Sequence, residues 1–373
     1  MKSLVQPHLR ELIPYIPGKP VEETEREYGV QDIAKLASNE NCLGPSPAAQ
    51  KAIQEAMAQN NLYPDAGAFY LKNALCEHHA KQGVTAEHLV VGNGTNEILS
   101  LLVRGFVGPG EAILIGWPSF IVYRLAARAC HREEVAVPLT SDFKYDMVAM
   151  ADAVLSHADK VKLVFLANPN NPTGQHISRD ELDTFLARTP EDVIVVLDEA
   201  YAEYVDVDDY PDGPSLVMNR PRTIVTRTFS KAYGLAALRV GYAICDTEIA
   251  DILNRMRDPF NVGSLGQVAA IAALKDLDHV QKSAKHNSAE RPKLATALES
   301  LGFDTTDSQA NFVLVQATAN MPSITSIYES LLKKAVIIRP VESYGIEGGA
   351  RITVGTEEEN RRLIDALSEI LST

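Results

Sequence analysis

Cysteine and tryptophan are scarce in this chain, with four of the former and one of the latter in 373 residues. Cys42, Cys76, Cys130 and Cys245 lie far apart and form no C-x-x-C pair. That argues against a thiol metal knuckle or redox motif and reads as buried free thiols in a reducing compartment. No apolar run reaches the roughly 20 residues that a membrane-spanning helix needs, and residues 1–10 lack the apolar core of a secretion signal. The expectation is a cytoplasmic protein with no membrane partner. Positive charge is also in short supply. Lys and Arg number 35 against 49 Asp and Glu, a formal net charge of −14, which argues against nucleic acid and anionic membrane surfaces. There is no internal repeat and no low-complexity segment. What remains, 46% hydrophobic and 23% charged, is the composition of an ordinary globular protein long enough for two cores.

Residues 1–44 are rich in proline and charge. Pro14, Pro17 and Pro20 predict an extended arm rather than a helix, with Tyr15 inside it. Ser38-Asn39-Glu40-Asn41 precedes a Gly44-Pro45 turn. Ser46-Pro47 supplies the N-cap and first position of a helix to about residue 59, and Asn61-Leu62-Tyr63-Pro64 follows. Seven short apolar or β-branched runs cover 89–91, 112–115, 134–139, 163–166, 193–197, 223–225 and 242–244. Most of the segments between them are long enough for crossovers. This predicts an α/β fold with a mostly parallel sheet covered on both faces. After about residue 258 the chain turns helical, notably over 267–277. Runs at 311–315 and 336–338 predict strands of a smaller α+β domain.

The polar residues gather at the ends of these runs. The first leads into Gly92-Asn93-Gly94-Thr95-Asn96-Glu97 and a helix stopped by Gly108-Pro109. Free N–H groups at such a helix start hold an anion, although a plain strand–helix turn looks the same. Glu97 stands where a dinucleotide fingerprint needs its third glycine, so that fingerprint is not met. Trp117-Pro118-Ser119-Phe120 follows the second run. Asn168-Pro169-Asn170-Asn171-Pro172-Thr173-Gly174 follows the fourth. Leu197-Asp198-Glu199-Ala200-Tyr201 closes the fifth, where a carboxylate on a buried strand needs a partner or caps a helix. The sixth leads into Thr226-Arg227-Thr228-Phe229-Ser230-Lys231-Ala232-Tyr233-Gly234-Leu235, with Arg239 beyond. Small neighbours, hydroxyls and a guanidinium suit a lysine that bonds a cofactor aldehyde next to a phosphate, whereas a lone Ser-Lys pair is ordinarily a loop lysine. Finally, Arg339 closes the run at 336–338. Arg351-Ile352-Thr353-Val354-Gly355 sets a second arginine among β-branched residues, which predicts a partly buried guanidinium that needs an anion.

Taken in this order over nearly the whole chain, the segments resemble the fold-type I pyridoxal-phosphate (PLP) aminotransferases, most closely the histidinol-phosphate aminotransferase branch. Tyr233 and Ala237 stand where that branch usually has Phe and Gly. The resemblance implies a large domain over 45–258 with a seven-stranded sheet, a smaller domain over 259–373, and the arm 1–44 packed with the smaller one. It implies that Lys231 bonds PLP and later moves the substrate proton, that Asp198 pairs with the ring nitrogen, and that Phe120 stacks on the ring. Asn171 and Tyr201 would meet the ring oxygen. Gly94, Thr95, Asn96, Thr228, Ser230 and Arg239 would hold the phosphate, joined by Tyr63 from the other chain of a homodimer with shared sites. Tyr15, Asn171, Arg339 and Arg351 would bind the substrates, an amino donor and a 2-oxo acid. Transamination of L-histidinol phosphate with 2-oxoglutarate is the activity implied. An aromatic amino-acid aminotransferase and a threonine-phosphate decarboxylase-like lyase stay open, since both keep the same cofactor residues.

Overall fold

The computed structural model describes residues 4–10, 12 and 17–372. The expectation for Tyr15 therefore lies outside the described residues. A short strand β1 (Ala34–Lys35) is followed by β2 (Leu89–Asn93), β3 (Ala112–Trp117), β4 (Glu133–Pro138), β5 (Val161–Ala167), β6 (Ile194–Asp198), β7 (Thr223–Thr228) and β8 (Val240–Ile244). The last seven form one sheet in the order β2-β8-β7-β6-β5-β3-β4. All neighbours are parallel except β8, which runs antiparallel to both β2 and β7. Each of the seven expected runs lies in this sheet, with ends moved by a few residues.

Side chains of the central strands alternate between two cores. Val164, Leu166, Val195 and Leu197 face one; Leu163, Phe165, Ile194 and Val196 face the other. A strand buried on both faces reads as a continuous apolar run, which is why these strands were visible in the sequence. The same alternation sorts the polar residues at their ends. Asp198 shares parity with Ile194 and Val196, and β6 pairs in register with β7 so that Asp198 lies opposite Thr226. Thr226 and Thr228 thus share the face of Asp198. Glu199 and Arg227 take the other face, where their side chains pair at 2.8 Å.

A second sheet, in the order β12-β13-β10-β9, is built from β9 (Asp304–Thr305), β10 (Phe312–Gln316), β12 (Arg339–Pro340) and β13 (Gly349–Thr353); β11 (Val336–Ile337) stands apart from it. A third core, with Leu294, Leu298, Val313, Ile352 and Leu363, fills the space beneath the helices Leu277–Ser300, Ile324–Lys333 and Glu357–Leu371. The N-terminal segment joins this part. β1 pairs in parallel with β11, and Leu36 enters the third core.

One expectation for the arm is corrected. It carries a helix, Val21–Tyr28, which begins directly after Pro20. Pro20 holds extended backbone at the N-cap, Glu22 and Glu23 occupy the first turn, and Gly29 closes the helix with φ 67°. The prolines end where the helix starts, so they delimit it rather than forbid it. The helix expected to run to about residue 59 is Pro47–Ala56 plus a 3-10 turn, Met57–Gln59, with the Ser46 hydroxyl accepting from Ala49 N.

Candidate active site

A cleft opens beyond the carboxyl ends of the parallel strands, where α/β sheets place their ligands. It is lined by Ser38, Asn39, Thr95, Asn96, Phe120, Asn171, Asp198, Tyr201, Thr228, Ser230, Lys231, Arg239, Arg339 and Arg351 among others. β7 delivers the lysine. Its last residue, Thr228, accepts from Ser230 N at 3.1 Å, and this turn carries Lys231 into the cleft half-buried. Lys231 Nζ donates to Ser38 O at 3.0 Å and lies 5.7 Å from the centre of the Tyr201 ring. Burial, with the guanidinium groups of Arg351 and Arg239 adding to it against Glu40, lowers the amine from 10.5 to about 7. Such an amine gives up its proton far more readily than a surface lysine does.

Next to the lysine lies a cradle for an anion. Gly94 is the N-cap of the helix Thr95–Phe106, with φ 70°. A Cβ built on Gly94 would fall 2.5 Å from Arg239 Nη2, so only glycine lets the guanidinium sit over the helix start. Gly241 does the same from β8, since a Cβ there would fall 2.7 Å from Thr95 N. Arg239 Nη1 donates to Ser230 Oγ at 3.3 Å and to Ala236 O at 3.1 Å. The helix start, the hydroxyls of Thr95, Thr228 and Ser230, and Arg239 therefore converge on one side of the cleft. This is the donor set a phosphate monoester takes.

Asp198 also lines the cleft, 3% exposed. Its Oδ2 accepts from Tyr123 OH at 2.7 Å and its Oδ1 from Thr226 Oγ1 at 3.0 Å. Hydrogen bonds to a charged acceptor contribute about 1.5–3 kcal/mol each, against a desolvation penalty of several kcal/mol for a buried ion. Burial wins, and the carboxyl is raised above its ordinary value despite both donors, with no cationic side chain of the described residues offsetting it. A protonated ring nitrogen is the partner such a carboxylate calls for. Phe120 lines the cleft beside it, edge-on to Tyr123, which stacks on Phe165.

Asn171 and Arg351 meet directly. Arg351 Nη1 donates to Asn171 Oδ1 at 2.6 Å, and Nη2 donates to Ala37 O at 2.7 Å. With its oxygen engaged, Asn171 is left with its amide nitrogen as a donor. Tyr201 OH accepts from Asn39 Nδ2 at 2.8 Å. Arg339 and Arg351, twelve positions apart in sequence, are cross-strand partners on β12 and β13. Like charges directly opposite on a sheet repel, an arrangement that a bound anion relieves.

Of the expected residues, Tyr63 lies outside this chain's own cleft. Tyr63 is 82% exposed and stacks on Phe260, with ring centres 4.7 Å apart. Tyr15 is outside the described residues. Sequence reasoning missed Tyr123, Thr226 and Asn39. Thr226 had a signal, since it stands two residues before Thr228 on a strand and must share its face. Asn39 lay in a noted segment but without a role. Tyr123 had no local signal, because its contact with Asp198 is set by helix packing.

These features fit PLP: a lysine of lowered basicity, a glycine cradle beneath a guanidinium, and a buried carboxylate with neutral donors only. The profile of the family "Aminotransferase class I and II" matches residues 31–367. The chain belongs to this family. The aminotransferase is 48% identical over 370 residues to the histidinol-phosphate aminotransferase of Anaeromyxobacter sp. (strain Fw109-5), covering 99% of each chain. It is 46% identical to that of Moorella thermoacetica, over 98% of this chain and 94% of the relative. Among solved structures, the histidinol-phosphate aminotransferase of Sinorhizobium meliloti in complex with pyridoxal-5'-phosphate superposes with a TM-score of 0.90 at 29% identity, covering 100% and 98% of the two chains. A Thermus thermophilus aspartate aminotransferase with maleate, 21% identical over 100% of both chains, shares the fold with a TM-score of 0.85.

Proposed function

We propose that this aminotransferase moves the amino group of L-histidinol phosphate to 2-oxoglutarate, giving imidazole acetol phosphate and glutamate, with PLP as cofactor. The names of the Anaeromyxobacter and Moorella relatives support the substrate, and the Sinorhizobium structure supports the cofactor. The observation that carries the reading is the pairing of Arg339 with Arg351 beside Lys231. Two adjacent cations suit a site that takes a phosphate monoester in one half-reaction and a dicarboxylate in the other.

When bound, PLP supplies the electron sink for the pair released as the substrate Cα loses its proton. The chain's own residues do the rest. Lys231 would hold the cofactor covalently and, when its amine is free, would serve as the base that carries the Cα proton. Asp198, steadied by Tyr123 and Thr226, would keep the ring nitrogen protonated. Gly94, Thr95, Asn96, Thr228, Ser230 and Arg239 would hold the phosphate, Phe120 would cover the ring, and Asn171 and Tyr201 would donate to the ring oxygen. The division into an arm (1–44), a large domain (45–258) and a small domain (259–373) belongs to this reading, as does a cytoplasmic location.

Half-reaction absorbance with histidinol phosphate, phenylalanine and threonine phosphate tests the assignment. Histidinol phosphate is expected to discharge the cofactor band far faster than the other two. Equal or faster discharge by phenylalanine would make the protein an aromatic aminotransferase, and loss of the substrate carboxylate from threonine phosphate would make it a lyase. The arginine pair adds a sharper expectation. Arg351→Ala should harm the glutamate half-reaction far more than the histidinol-phosphate one, because only glutamate has an α-carboxylate for a bidentate clamp. Equal loss in both half-reactions would reduce Arg351 to the support of Asn171.

The exposed stack of Tyr63 on Phe260 lies outside this chain's own cleft, and we assign Tyr63 to the phosphate of a second chain in a homodimer. Twofold dimers are the commonest soluble oligomers. In a mixed dimer of Lys231→Ala and Tyr63→Ala chains, one site collects both changes and the other neither. Random mixing makes about half of the dimers mixed, so roughly a quarter of wild-type activity should return. Tyr63→Ala alone must first be strongly impaired. Coexpressed variants with no activity above their average would place Tyr63 outside any shared site.

A further inference from the structure

We propose that Asn39 is a positioning residue that keeps the Tyr201 phenol a hydrogen-bond donor toward the cleft. The proposal rests on the PLP reading above.

Asn39 is 1% exposed and adopts φ 55°, a left-handed conformation that few residues other than glycine visit routinely, asparagine among them. Its backbone N donates to Thr353 Oγ1 at 3.0 Å. Because that hydroxyl oxygen accepts there, its hydrogen is available to Asn39 Oδ1, 3.2 Å away. Among the described residues Asn39 Oδ1 is the one acceptor this hydroxyl hydrogen meets, so the amide orientation that satisfies it places the oxygen at this end. The other end, Nδ2, faces Tyr201 OH at 2.8 Å. An amide N–H that donates to the phenol oxygen cannot accept the phenol's hydrogen. That hydrogen is left for an acceptor in the cleft, which Tyr201 lines.

The residue type follows from both demands. Glycine would meet the backbone angle and deliver no amide. Aspartate would meet the angle but bring two acceptors, and one of them would capture the phenol hydrogen. The segment is fixed further by Asn311 Nδ2, which donates to Asn39 O at 3.2 Å, and by Lys231 Nζ on Ser38 O. Thr353 lies two residues beyond Arg351 on β13. The strand that supplies the arginine therefore also sets the donor direction of Tyr201.

The test is a pH titration of the visible absorption of the lysine-bound cofactor in the holoenzyme. Donation to the anionic ring oxygen of the cofactor stabilises that anion and lowers the titration midpoint, so loss of the donor raises it. The charged groups around Tyr201 and Lys231, namely Arg351, Arg239, Asp198, Glu40 and Lys35, stay the same in every variant. Asn39→Asp is expected to raise the midpoint by about one pH unit, a tenfold change in proton affinity. Thr353→Val removes the hydroxyl that fixes the amide, adds no charge, and is expected to raise the midpoint by a smaller amount. In Tyr201→Phe protein, Thr353→Val should add no shift and Asn39→Asp less than half of its own, the remainder being the Coulombic effect of the new carboxylate.

Full shifts in the Tyr201→Phe background would overturn the proposal, because Asn39 would then act without Tyr201. So would unchanged midpoints accompanied only by a lower Tm of the cofactor-free variants, the signature of a purely structural residue. If Asn39→Asp fails to fold, Thr353→Val carries the comparison alone. A wild-type protein with no visible band at all would remove the PLP reading instead, so the two failures are distinguishable.

Discussion

Replacing Lys231 by alanine is expected to abolish transamination while leaving PLP bound without a covalent link. The amine is asked to do two things, and both disappear together. Loss of a positioned general base alone costs roughly 10²–10⁴-fold in rate. Loss of the covalent attachment also removes the route by which a substrate amine enters by exchange. The cradle of Gly94, Thr228, Ser230 and Arg239 and the carboxylate of Asp198 are untouched by the substitution, which is why binding should persist. Borohydride reduction followed by peptide mapping checks the assignment in the unmodified protein. The label should fall on the peptide that contains Ser230 and Lys231, and a label on any other lysine would reassign the site.

Asp198→Asn should load the cofactor and lose nearly all turnover. An amide of the same shape keeps its place at the end of β6, and its oxygen accepts from Tyr123 or Thr226 as the carboxylate does. What it lacks is charge. Burial already raises the carboxylate, with no cation of the described residues to offset it. A positively charged ring nitrogen is therefore stabilised there, and a neutral amide provides no equivalent. Removal of such an electrostatic partner costs on the order of 10²–10³-fold or more in kcat. Turnover within tenfold of wild type would exclude Asp198 from this role.

The sheet was legible because its strands are buried on both faces and so appear as uninterrupted apolar runs. Lys231, Asp198 and Asn171 were legible for a related reason. Asp198 ends such a run with a residue type that a core strand does not otherwise tolerate, and Asn171 and Lys231 stand in the polar turns that follow β5 and β7. Other features depend on distances that sequence spacing does not encode. The direct opposition of Arg339 and Arg351 is a matter of strand register. The contact of Tyr123 with Asp198 comes from a helix packing onto the sheet. The helix Val21–Tyr28 was hidden by prolines that precede it rather than interrupt it.

The alternation along β7 has a consequence for how this segment can change over evolutionary time. Thr226 and Thr228 serve the cleft while Arg227, between them, pairs with Glu199 on the packed side. Deleting or inserting a single residue within β7 ahead of Thr226 would exchange the two faces, carrying a guanidinium into the cleft and hydroxyls into the core. The count of residues in this stretch is therefore constrained as strictly as their identities. Substitutions can be tried there one at a time, but a change in length has no intermediate that keeps both the ion pair and the site.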